Sequence, residues 1–172
     1  SVASISTIDS DLEDIHSYSL VSGTGDEDNN SFTIVENNLF IKDSPDYETK
    51  NQYKVRISTQ DLSDNVFTKS FVLDVNDVNE APSSVYLSNV RFNENIQSNS
   101  LISIIYTSDV DTLDSHTYKL YNTNLFPDNQ FFSIQNNQLY ILVSPDYEQK
   151  STYRIGIQST DRLGLTFDNY IN

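Results

Sequence analysis

Residues 9 to 61 align without a gap to residues 109 to 161, and 22 of these 53 pairs are identical, including the pentapeptide SPDYE at 44 to 48 and 144 to 148. A repeat of one hundred residues is too long for a solenoid unit and suits a tandem of small domains, each able to bury its own core. The expected division is a first repeat with its linker over residues 1–82 and a second over 83–172. The boundary segment is DVNDVNEAPSS at 74 to 84, where Pro82 stops one strand and VYLSNVRF begins the next. In this register Ser1 aligns with Leu101 and Asn172 stands level with Val72, so the chain is expected to be a window on a longer array.

Inside each repeat the apolar residues recur with period two. Tyr53, Val55 and Ile57 alternate with Lys54, Arg56 and Ser58, and Tyr153, Ile155 and Ile157 do the same one hundred residues on. That pattern predicts a strand with one wet face. Similar short runs lie at Tyr18/Leu20, Phe32/Ile34, Leu39/Ile41 and Phe71/Leu73/Val75, separated by polar clusters such as GTGDEDNN. With no convincing 3.6-residue period, the fold class is all-β. About seven strands per repeat should form two tandem Greek-key, immunoglobulin-like sandwiches.

Charge then narrows the function. The formal net charge is −15 with only ten Lys and Arg, scattered singly, so neither nucleic acid nor an anionic membrane surface suits it as a partner. There is no Cys, which removes disulfides, thiolate metal sites and Cys nucleophiles together. No segment is long and apolar enough to insert into a membrane. His16 and His116 share a repeat position but have no GxSxG-type nucleophile to serve, so a structural role is expected and no enzyme. Asn29 starts an N-x-S sequon of a kind that arises by chance in an Asn-rich chain.

The acids repeat too: DSD at 9 to 11 matches DVD at 109 to 111, and Asp61 matches Asp161. Carboxylates about 4 Å apart repel by roughly 1 kcal/mol even in water. Clustered acids at strand ends therefore point to a cation, and an oxygen-only donor set favours Ca2+ over zinc or copper. If SPDYE is extended, Asp46 and Glu48 share one face while Tyr47, like Tyr147, turns inward. Tyr47→Ala should then cost about 3–5 kcal/mol as a truncated core aromatic.

Taken in order, NEN at 93 to 95, the DxD pairs, PDYE, the later TD and DVNDVNEAP resemble cadherin repeats, specifically the cadherin-like repeats of large bacterial surface proteins. The resemblance spans essentially the whole chain. It implies Ca2+ as cofactor, held between consecutive repeats. Asp46, Glu48, Asn76, Asp77, Asp109, Asp111 and Asp161 would serve the junction. Asp9, Asp11 and Asp61 would face a preceding repeat, and Glu94, Asp146 and Glu148 a following one. The linker carries two more residues than the animal pattern DxNDNAP, which leaves Val78 and Asn79 as alternatives for its last ligand position and the ion count open. The function implied is a Ca2+-stiffened extracellular rod of a surface or secreted adhesin or stalk. Its partners would be neighbouring repeats of the same chain and another cell-surface protein or glycan. A carbohydrate-binding sandwich array and a metal-free spacer are the alternatives.

Overall fold

The computed structural model describes residues 1–11, 14–121 and 124–172. These divide into two units, Ser1–Val78 and Asn79–Asn172. No α-helix occurs among the described residues, and hence no helix long and apolar enough to cross a membrane.

Unit 1 contains β1 (Ala3–Ser4), β2 (Ser17–Leu20), β3 (Phe32–Val35), β4 (Asn38–Ile41), β5 (Gln52–Gln60) and β6 (Val66–Asp74). They form two three-stranded antiparallel sheets, ordered β1-β4-β3 and β2-β5-β6. Alternation along β5 buries Val55 and Ile57 against Phe32 and Leu39 of the facing sheet. Each such side chain withdrawn from water is worth about 1.5–3 kcal/mol, which makes this seam the main source of stability.

Unit 2 contains β7 (Ser84–Leu87), β8 (Ser100–Ser108), β9 (Thr117–Leu120), β10 (Phe132–Gln135), β11 (Gln138–Ile141), β12 (Ile155–Thr160) and β13 (Thr166–Ile171). The sheets are β10-β11-β8-β7 and β13-β12-β9. Ile155 and Ile157 meet Ile105, Phe132, Leu139 and Ile141 between them. The hairpin register repeats one hundred residues apart: Phe32 faces Ile41 as Phe132 faces Ile141, and Ile34 faces Leu39 as Ile134 faces Leu139.

A second repeated device ties a loop to the central strand. A short 3-10 turn in each unit, Asn29–Ser31 and Pro127–Phe131, brings an Asn across to β5 or β12. The Asn29 carboxamide donates to the Val21 carbonyl (3.0 Å) and accepts from the Arg56 amide (2.9 Å). Asn129, 3% exposed, does the same with Tyr121 (2.8 Å) and Gly156 (3.0 Å). Beside it Asp28 accepts the Lys54 amide (2.8 Å) and pairs with Lys50, while Asp128 accepts the Arg154 amide (2.8 Å) and pairs with Lys150 at 2.9 Å. Each lysine also lies over an aromatic ring of the core edge, Tyr53 at 4.8 Å and Tyr153 at 5.2 Å.

The repeats diverge where Gly156 replaces Arg56. A side chain at Gly156 would sit 2.4 Å from the Phe126 ring, so the glycine is what admits that phenylalanine, 1% exposed. In unit 1 Arg56 occupies the place and donates to Thr68 Oγ1 at 2.8 Å.

SPDYE is not extended, which corrects the expectation for its tyrosine. Tyr47–Thr49 is a turn, closed by the Lys50 amide donating to the Asp46 carbonyl (2.9 Å) and capped by the Thr49 amide donating to Asp46 Oδ1 (3.1 Å). The 146–150 segment repeats it, with Gln149 donating to Asp146 Oδ1 at 3.2 Å. An Asp that can bond its own downstream amides favours a turn over a strand. The inward aromatic position is filled instead by Tyr53, edge-on to Phe32 at 5.5 Å, and by Tyr153 against Phe132. Tyr47 is 37% and Tyr147 64% exposed. Tyr147→Ala should accordingly change unfolding free energy in urea by less than about 0.5 kcal/mol. Leu139→Ala in the same unit should lose about 2–5 kcal/mol.

Candidate cation sites at the strand ends

The strands deliver acids to the ends of each unit. In unit 1, β5 ends at Gln60 and the next residue is Asp61. Its carboxylate caps the following loop, accepting from the amides of Ser63 and Asn65 (both 2.8 Å) and from Asn65 Nδ2 (2.7 Å). Asp9 accepts the Asp11 amide (3.1 Å) and meets His16 Nε2 (3.1 Å). Carboxylate oxygens of Asp9, Asp14 and Asp61 lie within 4.8 Å of one another.

Asp11, expected in this group, gives it its backbone amide, while Asp14 supplies the third carboxylate. The Asp14 amide donates to the Asp11 carbonyl (3.0 Å), as the Asp114 amide does to Asp111 (3.0 Å). The hundred-residue identity already marked Asp14 and Asp114. What it lacked was any sign that they stand beside Asp9 and Asp109.

In unit 2 the corresponding end is more enclosed. Asp109, its side chain 4% exposed, accepts the Asp111 amide (3.2 Å) and meets His116 Nε2 (2.8 Å). Ligand atoms of Asp109, Asp114 and His116 lie within 4.8 Å of one another. Asp114 also meets Arg162 Nε at 3.2 Å, where unit 1 has Leu62. Each histidine thus orients the first acid of its DxD pair.

The linker docks onto this end of unit 2. Asn79 Nδ2 donates to Asp161 Oδ2 (2.7 Å) and the Glu80 amide to Asp111 Oδ2 (2.9 Å), while Val78 is exposed. Of the two candidates for the last linker position, Asn79 is the one that reaches an acid.

The opposite end of unit 2 assembles a third group. Ligand oxygens of Glu94, Asp146 and Glu148 come within 4.8 Å of one another. Two backbone-directed bonds align the segments: the Asn95 amide donates to the Pro145 carbonyl (2.8 Å) and the Tyr147 amide to Glu94 Oε2 (3.3 Å). The three acids expected to act together are therefore together. No Lys or Arg ion pair to any of them occurs among the described residues. In unit 1, Glu48, Asn76 and Asp77 are exposed and Asp46 caps its turn.

Hydrogen bonds hold several of these acids ionised. The Asp11 amide, then His16, lowers the Asp9 carboxyl below its ordinary value, and the Thr49 amide and hydroxyl lower Asp46. Asp61 is lowered first by the Asn65 side chain, against burial and the like charge of Asp9, which raise it. Burial pushes Asp161 up, but Asn79 and the amides of residues 163–165 outweigh it and bring the net shift down. The Asp9, Asp14 and Asp61 group and the Glu94, Asp146 and Glu148 group offer carboxylate oxygens of the kind that suit a hard cation, while the Asp109 and Asp114 group includes His116.

No family model and no curated protein matches the sequence. Solved structures do. Domains EC1-2 of human protocadherin-24 superpose with a TM-score of 0.64 at 18% identity, over 91% of this chain and 79% of that one. Cadherin domains 3-6 of protocadherin gamma B2 give 0.63 at 21% identity, over 91% of this chain. Human mucin-like protocadherin EC1-2 gives 0.54 at 20% identity, over 90% and 81%. This chain spans 38% of the gamma B2 fragment.

A folded carboxyl held low contributes stability that is present above its unfolded pKa and lost as pH falls through the folded one. Asn65→Ala, which removes the side-chain hydrogen bond that does most to lower Asp61, should raise that carboxyl toward 3.8 in a carbon-detected NMR titration, and the stability lost on acidification should become smaller and be complete at a higher pH. An unmoved Asp61 titration would show that the backbone amides alone hold it. By strand order, sandwich packing and structural likeness, the chain has the fold of extracellular cadherin domains.

Proposed function

We propose that this chain is a pair of Ca2+-binding, cadherin-like repeats from the extracellular part of a surface or secreted adhesin or stalk, with no enzymatic activity. The observation that carries the reading is the Glu94, Asp146 and Glu148 group: three carboxylates, drawn from segments about fifty residues apart, converge with no Lys or Arg ion pair to them among the described residues. Convergence of like charge costs stability unless a cation offsets it. Hard oxygen donors fit Ca2+, and Mg2+ would fit less well because it demands a tighter octahedron and keeps its waters. The ion would supply charge neutralisation. The turns capped by Asp46 and Asp146 and the loops capped by Asp61 and Asp161 hold the ligands in place before any ion arrives.

On the sequence resemblance, Asp46, Glu48, Asn76 and Asp77 would join Asp109, Asp111 and Asp161 in one junction cluster, with repeats bounded at 82 and 83. Asn79 belongs with that set through its bond to Asp161. Asp9, Asp11 and Asp61 would serve a preceding repeat, with Asp14 added, and Glu94, Asp146 and Glu148 a following one. Ion binding between repeats would turn a flexible string into a rod. A large bacterial surface protein is the context that the sequence motifs favour. Partners would be neighbouring repeats and another surface protein or glycan.

A second reading has its own observation. Tyr86 and Tyr106 stack at 5.6 Å, tilted by 24°, on an exposed face of unit 2. Paired flat rings exposed to water suit the apolar face of a sugar. The carbohydrate-binding alternative therefore centres on this pair.

At millimolar Ca2+ and a dissociation constant of about 10⁻⁴ M, each occupied site adds roughly 1.4 kcal/mol to stability. Calcium should raise the melting temperature and EDTA lower it, with Mg2+ a poor substitute. Glu94→Gln, Asp146→Asn and Glu148→Gln combined should remove part of that response. Melting indifferent to both calcium and chelator would leave a metal-free spacer. Saturable glycan binding that survives EDTA and is lost in Tyr86→Ala would favour the sugar reading.

A further inference from the structure

The letters D-x-D-x-x-D-x-H recur at 9 to 16 and 109 to 116, yet the two units assemble different groups from them. In unit 1 the carboxylates of Asp9, Asp14 and Asp61 come together, an oxygen-only set. In unit 2 Asp161, the counterpart of Asp61, is taken up by the Asn79 carboxamide at 2.7 Å. The group that forms there is Asp109, Asp114 and His116, with ligand atoms within 4.8 Å of one another. All three residues lie between β8 and β9, so the group needs no neighbouring repeat.

Both carboxylates are fixed by one oxygen and keep the other. Asp109 accepts the Asp111 amide on Oδ1 (3.2 Å) and turns Oδ2 to His116 Nε2 (2.8 Å). Asp114 accepts the Ser115 amide (3.0 Å) and Arg162 Nε (3.2 Å), both on Oδ1. Its Oδ2 is buried without a hydrogen-bond partner, in a side chain 1% exposed. A buried charged oxygen left bare costs stability, and its lone pairs are available to a ligand. The His116 side chain is itself 12% exposed. A cavity of about 540 Å³, lined by His116, Tyr118, Asn136 and Asn137 among others, opens onto the imidazole and gives it a path to solvent.

We infer that Asp109, Asp114 and His116 form a mixed nitrogen and oxygen site for Zn2+ in unit 2. Zinc takes imidazole nitrogen together with carboxylate oxygen, and three protein ligands leave its fourth position to water. Calcium takes about six to eight oxygens and is poorly served by three enclosed side chains of which one gives nitrogen. Binding places the imidazole proton on Nδ1 and turns the Nε2 lone pair to the metal, in place of the hydrogen bond to Asp109. Two ligand atoms of a tetrahedral zinc stand about 3.3 Å apart, so the Asp109–His116 contact opens by about half an ångström to admit it. Arg162 is 68% exposed and holds Oδ1 of Asp114, so it tempers the affinity without filling the site. Asp109 is the one residue shared with the calcium reading, and the inference does not depend on that reading.

The test titrates Zn2+ into the full chain, freed of other metals, and follows the ring nitrogens of its two histidines by 15N-edited NMR. One equivalent should move the His116 signals and leave those of His16 in place. His116→Gln and Asp114→Asn should each weaken zinc binding about tenfold or more by calorimetry, with thermal melting showing that the variants fold. Arg162→Leu, which installs the residue that unit 1 carries at 62, should tighten binding about two- to fivefold by removing an exposed competing charge. His116 signals that stay put, signals of both histidines that move together, or a zinc affinity that survives His116→Gln would each overturn the inference. Melting that responds to calcium while His116 ignores zinc would overturn it too and leave the calcium reading standing.

Discussion

Burial of alternate residues on the central strand of each unit is the constraint on which everything else here hangs. Val55 and Ile57 in β5, and Ile155 and Ile157 in β12, are held between two sheets, and a slip by one residue would turn all of them to water. That register decides where the strand stops, and Asp61 or Asp161 is the next residue. An acid becomes a ligand candidate because a core isoleucine four residues earlier has nowhere else to go.

Around that seam many polar residues work by local hydrogen bonding, beside a few ion pairs such as Asp28 with Lys50 and Asp128 with Lys150. Asp46, Asp61, Asp146 and Asp161 each cap a turn or loop with backbone amides. Asn29 and Asn129 stitch a 3-10 turn to the central strand. Each such bond contributes only about 0.5–1.5 kcal/mol net, yet leaving the buried partner unmade would cost more. These bonds orient carboxylates toward one another, against their mutual repulsion.

The two repeats solve one packing problem with different residues. Gly156 with Phe126 in unit 2 stands where Arg56 with Asp26 stands in unit 1. Arg162 accompanies Asp114, whereas Leu62 leaves Asp14 without an arginine there. β7 pairs with β8 in unit 2, whereas Ser6, Thr7 and Ile8, which match part of β8, belong to no strand in unit 1. Identity of core and turn residues between repeats thus coexists with different accessibility of the same surface.

Period-two alternation marked β2 to β6 and β9 to β12, because a half-buried sheet imposes that period directly on side-chain polarity, while β1, β8 and β13 were not read from it. The repeat spacing showed two copies, and the acids, recurring in pairs, marked most of the candidate ligands. Glu94, Asp146 and Glu148 were legible as a set only through resemblance to a repeat family, since about fifty residues separate the first from the others. Tertiary structure decided the rest. Tyr47 looked inward on the assumption of an extended segment, and an Asp-capped turn put it outside, because side-chain capping is a local competition that polarity patterns do not register. Asp14 and Asp114 were visible as repeated letters, but only the tertiary structure brings them beside Asp9 and Asp109. Sequence alone determined which residues alternate and recur; which carboxylates meet was decided by where the chain turns, because proximity across loops depends on backbone geometry and not on spacing.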